Sequence, residues 1–149
     1  FGNTMCVIRV TGQQVLDALE WGARAVPSEN GGFLQVSGLT YEIHTGIASS
    51  AEKDENGMFT RVSGEYRVKN VMVGGQPLEL DKTYTLASHN YMLLGHGDGY
   101  TMFDGCEVLG EDMMVDNQVL ITYITTTLGG VVGEQYANPY GDGRIVAVE

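Results

Sequence analysis

The segment from Ser88 to Tyr100 carries the residues of this chain that are best suited to binding a ligand. Three glycines, at positions 95, 97 and 99, surround Asp98, and glycine lets the backbone take positive φ and lets a ligand approach closely. The Asp98 carboxylate offers acceptor oxygens that suit a pair of vicinal hydroxyls, such as those of ribose. Tyr91 and Tyr100 flank the loop, and their rings are able to stack on a flat ligand. The alternative is a tight structural loop in which Asp98 forms an Asx turn, and both interpretations stay open at this point.

Other patterns that carry chemistry are missing from the sequence. His44, His89 and His96 lack the spacing and the partner ligands of a metal site. The turn at 54–57 lacks the remaining ligands of a calcium loop, and we interpret it as a solvated turn. No nucleophile motif or phosphate-binding loop occurs. We therefore expect no catalytic residue, no metal ligand and no cofactor site in this chain.

Composition and charge narrow the class of protein. The chain has 149 residues, of which 43% are hydrophobic and 18% charged, and this indicates one soluble globular domain. A net charge of −11 argues against binding to nucleic acid or to anionic lipid. No membrane span and no signal peptide is recognisable, and because the chain begins with Phe1 instead of methionine we interpret it as a fragment or processed product. Cys6 and Cys106 are predicted to be two buried free thiols, with a single disulfide left open.

The hydrophobic pattern predicts more strands than helices. Strands are predicted at 5–10, 33–38, 39–44, 66–73 (with a bulge near Asn70), 84–87 and 145–148. A first helix is predicted to start at Thr11, in a capping box with Gln14, and to end near Pro27. A second helix is predicted over 113–128, and a loop or irregular hairpin over 45–63. The order is not a strict β-α-β alternation, so we predict an α+β fold, a mixed β-sheet packed with helices.

Four motifs give the chain a family resemblance. Phe1-Gly2-Asn3 opens a strand, Phe33 to Gly38 lies in the middle, Gly97-Asp98-Gly99-Tyr100 follows an Asn-aromatic pair, and Gly143-Arg144-Ile145 stands near the end. In this order they resemble the C-terminal domain of the 5′-nucleotidase family, which includes UDP-sugar hydrolases and 2′,3′-cyclic-nucleotide 2′-phosphodiesterases. The resemblance covers nearly the whole chain.

The resemblance implies specific roles for the loop. In this family the C-terminal domain stacks the base between two aromatic rings and holds the ribose by an aspartate. Phe1 then matches the first ring, Tyr91 the second ring and Asp98 the ribose ligand. The rest of the substrate-binding set implied by the same motif is Asn90, Gly97 and Gly99.

The resemblance also implies a larger enzyme. In this family an N-terminal metallophosphatase domain holds two divalent metal ions and hydrolyses nucleotides to nucleoside and phosphate. We expect residues 1–149 to be a single nucleotide-binding domain whose partners are a nucleotide or nucleoside and the parent's own metallophosphatase domain. The parent is expected to be extracellular, at the cell surface or periplasmic. The family's Asn-Gly-Gly-x-Ile-Arg segment is not in this chain, so we expect the chain alone to be inactive and to bind nucleosides weakly.

Two departures from the family pattern concern the loop itself. The second ring is usually phenylalanine, and the hydroxyl of Tyr91 needs water or another partner. Asp98 lies seven residues after Tyr91, one more than in the better-known members, so His96 either contacts ligand at the rim or is exposed. Base and sugar preference stay open, as does the choice among the three activities. A non-catalytic sugar- or nucleoside-binding surface module is the alternative function.

Overall fold

Residues 2–149, the part of the chain that the computed structural model describes, contain nine β-strands and three α-helices. The strands are β1 (Met5–Thr11), β2 (Leu39–His44), β3 (Ala51–Lys53), β4 (Phe59–Val62), β5 (Val68–Val73), β6 (Gln76–Pro77), β7 (Thr83–His89), β8 (Glu107–Gly110) and β9 (Ile145–Val148). The helices are α1 (Gly12–Ala23), α2 (Asn90–Leu93) and α3 (Asp116–Thr122). Short 3₁₀ turns lie at Gly97–Gly99, Thr101–Phe103 and Glu134–Tyr136.

The strands form two main sheets and a separate hairpin. An antiparallel sheet has the order β7-β1-β8, and a mixed sheet has the order β6-β5-β2-β9, in which β2 and β9 run parallel. β3 and β4 make the hairpin, whose turn is closed by the Asp54 carboxylate as it accepts the N–H groups of Asn56 and Met58. The predicted α+β class with a mixed sheet is therefore confirmed.

Helix α1 packs against both main sheets and supplies much of the core. Thr11 and Gln14 form the predicted capping box, and the N–H groups of Gly12 and Gln13 donate to the carbonyls of Lys82 and Leu80. These bonds satisfy donors at the start of the helix that would otherwise have no partner. Among the largest fully buried side chains, α1 supplies Trp21, Leu19 and Glu20, and Ile8, Leu93 and Tyr100 come from elsewhere in the chain.

Two buried ionisable residues, Glu20 and Arg67, join α1 to the start of β5 in the mixed sheet. Glu20 is fully buried, and its carboxylate accepts the backbone N–H of Val68 at 2.9 Å. Arg67 is also buried and donates to the carbonyls of Ala23 and Val26 at the end of α1. Burial raises the pKa of the Glu20 carboxyl, and the hydrogen bonds from Val68 and Arg67 and the Arg67 charge oppose that rise. The position of α1 over β5 thus depends on a desolvated carboxyl group.

Two of the predicted elements differ from the structure. Residues 33–38 are not a strand, because no strand pairs with them within the described residues. The second helix starts at Asp116 instead of Met113, since Met113 and Met114 pair with the backbone of Met5. Beyond Thr122 the chain forms a π-helical turn, and two apolar residues of α3, Leu120 and Ile121, are exposed, with Leu120 at 60%.

Other predictions agree with the structure. A register shift and a positive φ at Asn70 confirm the bulge. Both cysteines are free as predicted, but only Cys6 is buried, and Cys106 is half-buried. The short elements β8 and α2 were not predicted. Within residues 2–149, no helix combines the length and the apolar character that a membrane crossing requires.

Replacing Glu20 with glutamine should change how the stability of the chain depends on pH. The folded-state pKa of Glu20 is raised above its ordinary value of 4.5. At a pH between the unfolded-state and folded-state pKa, the folded state therefore binds more protons than the unfolded state. This contribution is fully present below the unfolded pKa and is lost as the pH rises through the folded pKa. We expect the unfolding free energy of Glu20→Gln to increase relative to that of the wild type as the pH rises from about 4 to 7. Urea denaturation across this range measures the difference, with Glu29→Gln as an exposed control, and a difference that does not vary with pH would contradict the raised pKa.

Candidate functional site

The candidate site begins where β7 passes into α2. His89 accepts the backbone N–H of Met92 through its Nδ1 at 3.2 Å and so caps the single turn of α2. Met92 and Leu93 are buried and hold this turn in the core, whereas the Tyr91 side chain between His89 and Met92 is 48% exposed. The turn therefore presents the Tyr91 ring at the surface, while its buried side chains anchor it in the core.

Asn90 ties this turn to the N-terminal segment. Its backbone N–H donates to the Thr4 carbonyl at 2.8 Å, and its Oδ1 accepts the Thr4 N–H at 3.1 Å. The reciprocal pair joins positions 86 residues apart in the chain. Phe1, the predicted first stacking ring, lies outside the described residues, but the pair places Thr4, three positions after it, against the Tyr91 turn. The Nδ2 of Asn90 has no hydrogen-bond partner within residues 2–149.

The loop after α2 has an unusual backbone. His96, Asp98 and Gly99 have φ of 53°, 55° and 86°, and a left-handed conformation costs a residue other than glycine roughly 1–2 kcal/mol. The indole N–H of Trp21 donates to the Asp98 carbonyl at 2.9 Å, and Gly99 lies so close to Trp21 that a Cβ there would be 2.8 Å from the indole ring. Strained backbone of this kind persists where the surroundings fix it, and it is concentrated at binding and catalytic sites.

Gly97 makes room for the Tyr91 ring. A Cβ built on Gly97 would overlap three atoms of that ring, so the tyrosine lies directly against the glycine Cα. Gly97 does not have a positive φ, so close approach explains why a glycine is required at this position and backbone conformation does not. The contact fixes one face of the Tyr91 ring.

Asp98 lies beside Tyr91 with its carboxylate at the surface. The Tyr91 hydroxyl is 3.5 Å from the nearer carboxylate oxygen, which is at the outer limit of a hydrogen bond. Among residues 2–149 no backbone N–H donates to this carboxylate, so Asp98 does not form the Asx turn that the structural alternative requires. Its oxygens remain available to accept hydrogen bonds from a ligand.

The sequence interpretation missed the loop Asn30–Gly32, which forms the other side of Asp98. A Cβ on Gly32 would lie 3.0 Å from the Asp98 Cβ, so the Gly32 backbone lies close against the Asp98 side chain. Asn30 shapes this loop, since its Oδ1 accepts the Gly32 N–H and its Nδ2 donates to the Gly22 carbonyl. The Asn-Gly-Gly sequence is a turn signal that was present in the chain, but nothing in it indicates contact with position 98.

Tyr100 supports the loop instead of facing a ligand, so the prediction that its ring could stack on one is wrong. The ring is 1% exposed and stacks on Phe103, with 6.3 Å between ring centroids. Its hydroxyl donates to the Gly32 carbonyl, and burial raises the Tyr100 pKa, which keeps the hydroxyl protonated as a donor.

The remaining titratable residues of the loop do not form a metal site. His96 is half-buried, and its Nε2 lies 3.9 Å from a carboxylate oxygen of Asp104. Across residues 2–149 there is no group of three or more His, Cys, Asp or Glu side chains that would hold a metal ion. The larger grooves of the described chain are lined by other residues, so Tyr91 and Asp98 form an open surface.

Comparisons with known proteins identify the family. Residues 1–105 match the family described as "5'-nucleotidase, C-terminal domain". The Bacillus subtilis protein named "Trifunctional nucleotide phosphoesterase protein YfkN" is 31% identical over 148 residues, which is 99% of this chain and 9% of that protein. The "Cell wall protein Lmo0130" of Listeria monocytogenes is 29% identical over 125 residues, 83% of this chain and 14% of that protein. The crystal structure of a 5'-nucleotidase precursor from Thermus thermophilus superposes with a TM-score of 0.76 at 28% identity, covering 99% of this chain and 25% of that chain.

The chain belongs to the 5′-nucleotidase C-terminal domain family, which confirms the resemblance drawn from its motifs. The Thermus structure confirms the fold. This chain spans 9% and 14% of the length of the two curated relatives described above. The relatives therefore carry this domain within much longer polypeptides.

Replacing Gly97 with alanine should displace the Tyr91 ring. Overpacking a well-packed contact costs about 1–3 kcal/mol of unfolding free energy, and this cost should largely disappear when Tyr91 is also replaced by alanine. Chemical denaturation of both single variants and the double variant measures the coupling. Gly31→Ala is the matched control, because a Cβ there meets nothing within 4 Å. Equal costs of Gly97→Ala with and without Tyr91 would contradict the contact.

Proposed function

We propose that residues 1–149 recognise the nucleoside part of a nucleotide for a metal-dependent phosphohydrolase of the 5′-nucleotidase type. The observation that carries this proposal is the exposed Tyr91 ring, fixed on Gly97, beside an Asp98 carboxylate that no backbone N–H within residues 2–149 occupies. A flat ring and an adjacent anionic acceptor pair match the two halves of a nucleoside. The base stacks on the ring, and the ribose hydroxyls donate to the carboxylate.

In this proposal Phe1 supplies the first ring, on the side of the base opposite to Tyr91. The Asn90–Thr4 hydrogen bonds support this arrangement, because they hold the chain that follows Phe1 beside the Tyr91 turn. Stacking between two rings accepts any base, since every base has a flat π-face, so we infer broad base specificity. Gly97 and Gly99 contribute by allowing the ring and the aspartate to take these positions.

The hydrolytic step belongs, in this proposal, to the parent's N-terminal metallophosphatase domain with its two divalent metal ions. The chain of residues 1–149 alone is then inactive toward nucleotides. The similarity to a cell wall protein and to a 5'-nucleotidase precursor supports a location outside the cytoplasm, at the cell surface or in the periplasm. The partners of this domain are its nucleotide substrate and that metallophosphatase domain.

Replacing Tyr91 with leucine in the full-length protein should weaken substrate binding. Loss of one stacking ring costs roughly 1–3 kcal/mol, which corresponds to an increase in KM of about 5- to 150-fold. Tyr91→Phe is the matched control and should keep KM within about threefold, because the ring is retained and the hydroxyl makes only one long contact. Steady-state kinetics with a purine and a pyrimidine nucleotide tests both expectations, and a Tyr91→Leu variant with unchanged KM for both would refute the stacking role.

Replacing Asp98 with asparagine in the full-length protein should weaken the hydrogen bonds to the ribose hydroxyls. Asparagine keeps the shape of the side chain but loses the charge, and hydrogen bonds to a charged group are worth about 1.5–3 kcal/mol. We expect KM to rise by at least about tenfold for ribonucleotides, with a smaller loss for 2′-deoxynucleotides because one hydroxyl is already missing. A fall in kcat without a change in KM would argue against a binding role for Asp98.

The alternative, a non-catalytic surface module, differs in the rest of the polypeptide. The proposed enzyme requires an Asp-x-His and a Gly-Asn-His-Glu pattern upstream of Phe1 in the full-length sequence. A different domain at that place would favour the alternative.

A further inference from the structure

One long edge of the antiparallel sheet is open. β7 pairs with β1 along its whole length, from the Thr11–Thr83 pair to the Met5–His89 pair. On the opposite side of β7 no strand of the described residues is bonded to it. An antiparallel edge strand directs alternate N–H and C=O groups outward, and such a row is a template for a further strand.

A second unpaired backbone faces this edge across a groove. The N–H groups of residues 34–37 have no hydrogen-bond partner within residues 2–149. Burial along this segment alternates as in a strand, with Leu34 and Val36 half-buried and Gln35 and Ser37 exposed. The period-2 pattern of a strand is therefore present at 33–38, and what is missing is a partner.

The groove between these two backbones is apolar and of strand length. It has a volume of about 620 Å³ and is lined by residues 84–87 on one side and 35–39 on the other, with Val15, Val73 and the single charged residue Arg144 also in the lining. A narrower groove of about 130 Å³ shares the Leu86–Ala87 wall and extends to Ser88 and Met92. Five residues of β7, from Tyr84 to Ser88, therefore border the two grooves, which at 3.3 Å per residue is a length of about 17 Å.

We propose that a β-strand from outside residues 1–149 of the full-length protein fills this groove, pairing with β7 on one side and with residues 34–37 on the other. Alternate side chains of the inserted strand point toward Val15 and Val73, so that face is apolar. The insertion joins the two walls of the groove into one hydrogen-bonded layer. It also gives partners to backbone groups that have none within residues 2–149.

The shape of the groove favours a single strand over a second copy of this chain. The edge strand of a second copy is already paired with its own β1, so it would have one free side and could bond to only one of the two walls. A strand of the same polypeptide has both sides free. In the two relatives this domain makes up 9% and 14% of the polypeptide. Most of each relative therefore lies outside the matched domain and is long enough to supply a strand.

Thiol labelling of the full-length protein tests the proposal. Ala87 is exposed within residues 2–149 and borders the groove, so a cysteine in Ala87→Cys should be covered by the inserted strand. Thr60→Cys, at an exposed position on the β3–β4 hairpin, is the matched control. With the site of modification read by mass spectrometry, we expect Ala87→Cys to be labelled at least about tenfold more slowly than Thr60→Cys. Equal rates would overturn the proposal.

Hydrogen exchange on the wild type gives a second measurement that does not depend on a variant. In the full-length protein two of the four amides of residues 34–37, at alternate positions, should exchange at least about tenfold more slowly than in free peptide, since an extended segment directs alternate N–H groups toward the inserted strand. Rapid exchange at 34–37 would overturn the proposal, and so would protection that disappears on dilution, because the occupant would then be a separate molecule. Neither measurement involves nucleotide, so either outcome leaves the proposed function to its own tests.

Discussion

The indole of Trp21 is the constraint on which the candidate site depends. It is buried at the end of α1, with its edge against Phe59 and the Arg24 guanidinium 3.7 Å above its ring. From this position its N–H holds the Asp98 carbonyl, and its ring leaves no room for a side chain at Gly99. The hydrogen bond fixes Asp98 in a left-handed conformation, which places the carboxylate next to Tyr91. Helix α1 and the loop after α2 are therefore parts of one rigid unit.

The same unit explains why the loop is able to carry strain. Two residues other than glycine, His96 and Asp98, have positive φ, and without support they would relax. The support comes from two contacts: the Trp21 N–H donates to the Asp98 carbonyl, and the loop Asn30–Gly32 lies against the Asp98 side chain. Tyr100 connects these parts through its bond to Gly32. A binding surface that is fixed before the ligand arrives loses less entropy on binding.

Local signals in the sequence predicted the elements that depend on local physics. The Thr11–Gln14 capping box depends on neighbours in the chain, as do the apolar runs that mark the strands β1, β2 and β7, and all were predicted. Residues 33–38 carry the pattern of a strand but have no partner within residues 2–149. The sequence of a segment cannot show whether a neighbouring strand is available to pair with it. The loop motif was found because glycines and an aspartate stand together. Its supports, Trp21 and Gly32, lie 77 and 66 residues away from Asp98 and carry no mark of that role.

The pairing of β1 with β7 has a consequence for the accuracy of folding. Thr4 and Asn90, which hold the two sides of the site together, directly continue this pairing at its Met5–His89 end. A slip of one residue would turn the core side chains toward solvent, which strongly destabilises that register. A slip of two residues keeps every side chain on its proper face and shifts one strand by about 7 Å, farther than the thickness of a stacked ring. Such a molecule would retain its secondary structure, but the two sides of the candidate site would no longer face each other. If the proposed function holds, nucleoside binding therefore reports on correct strand register.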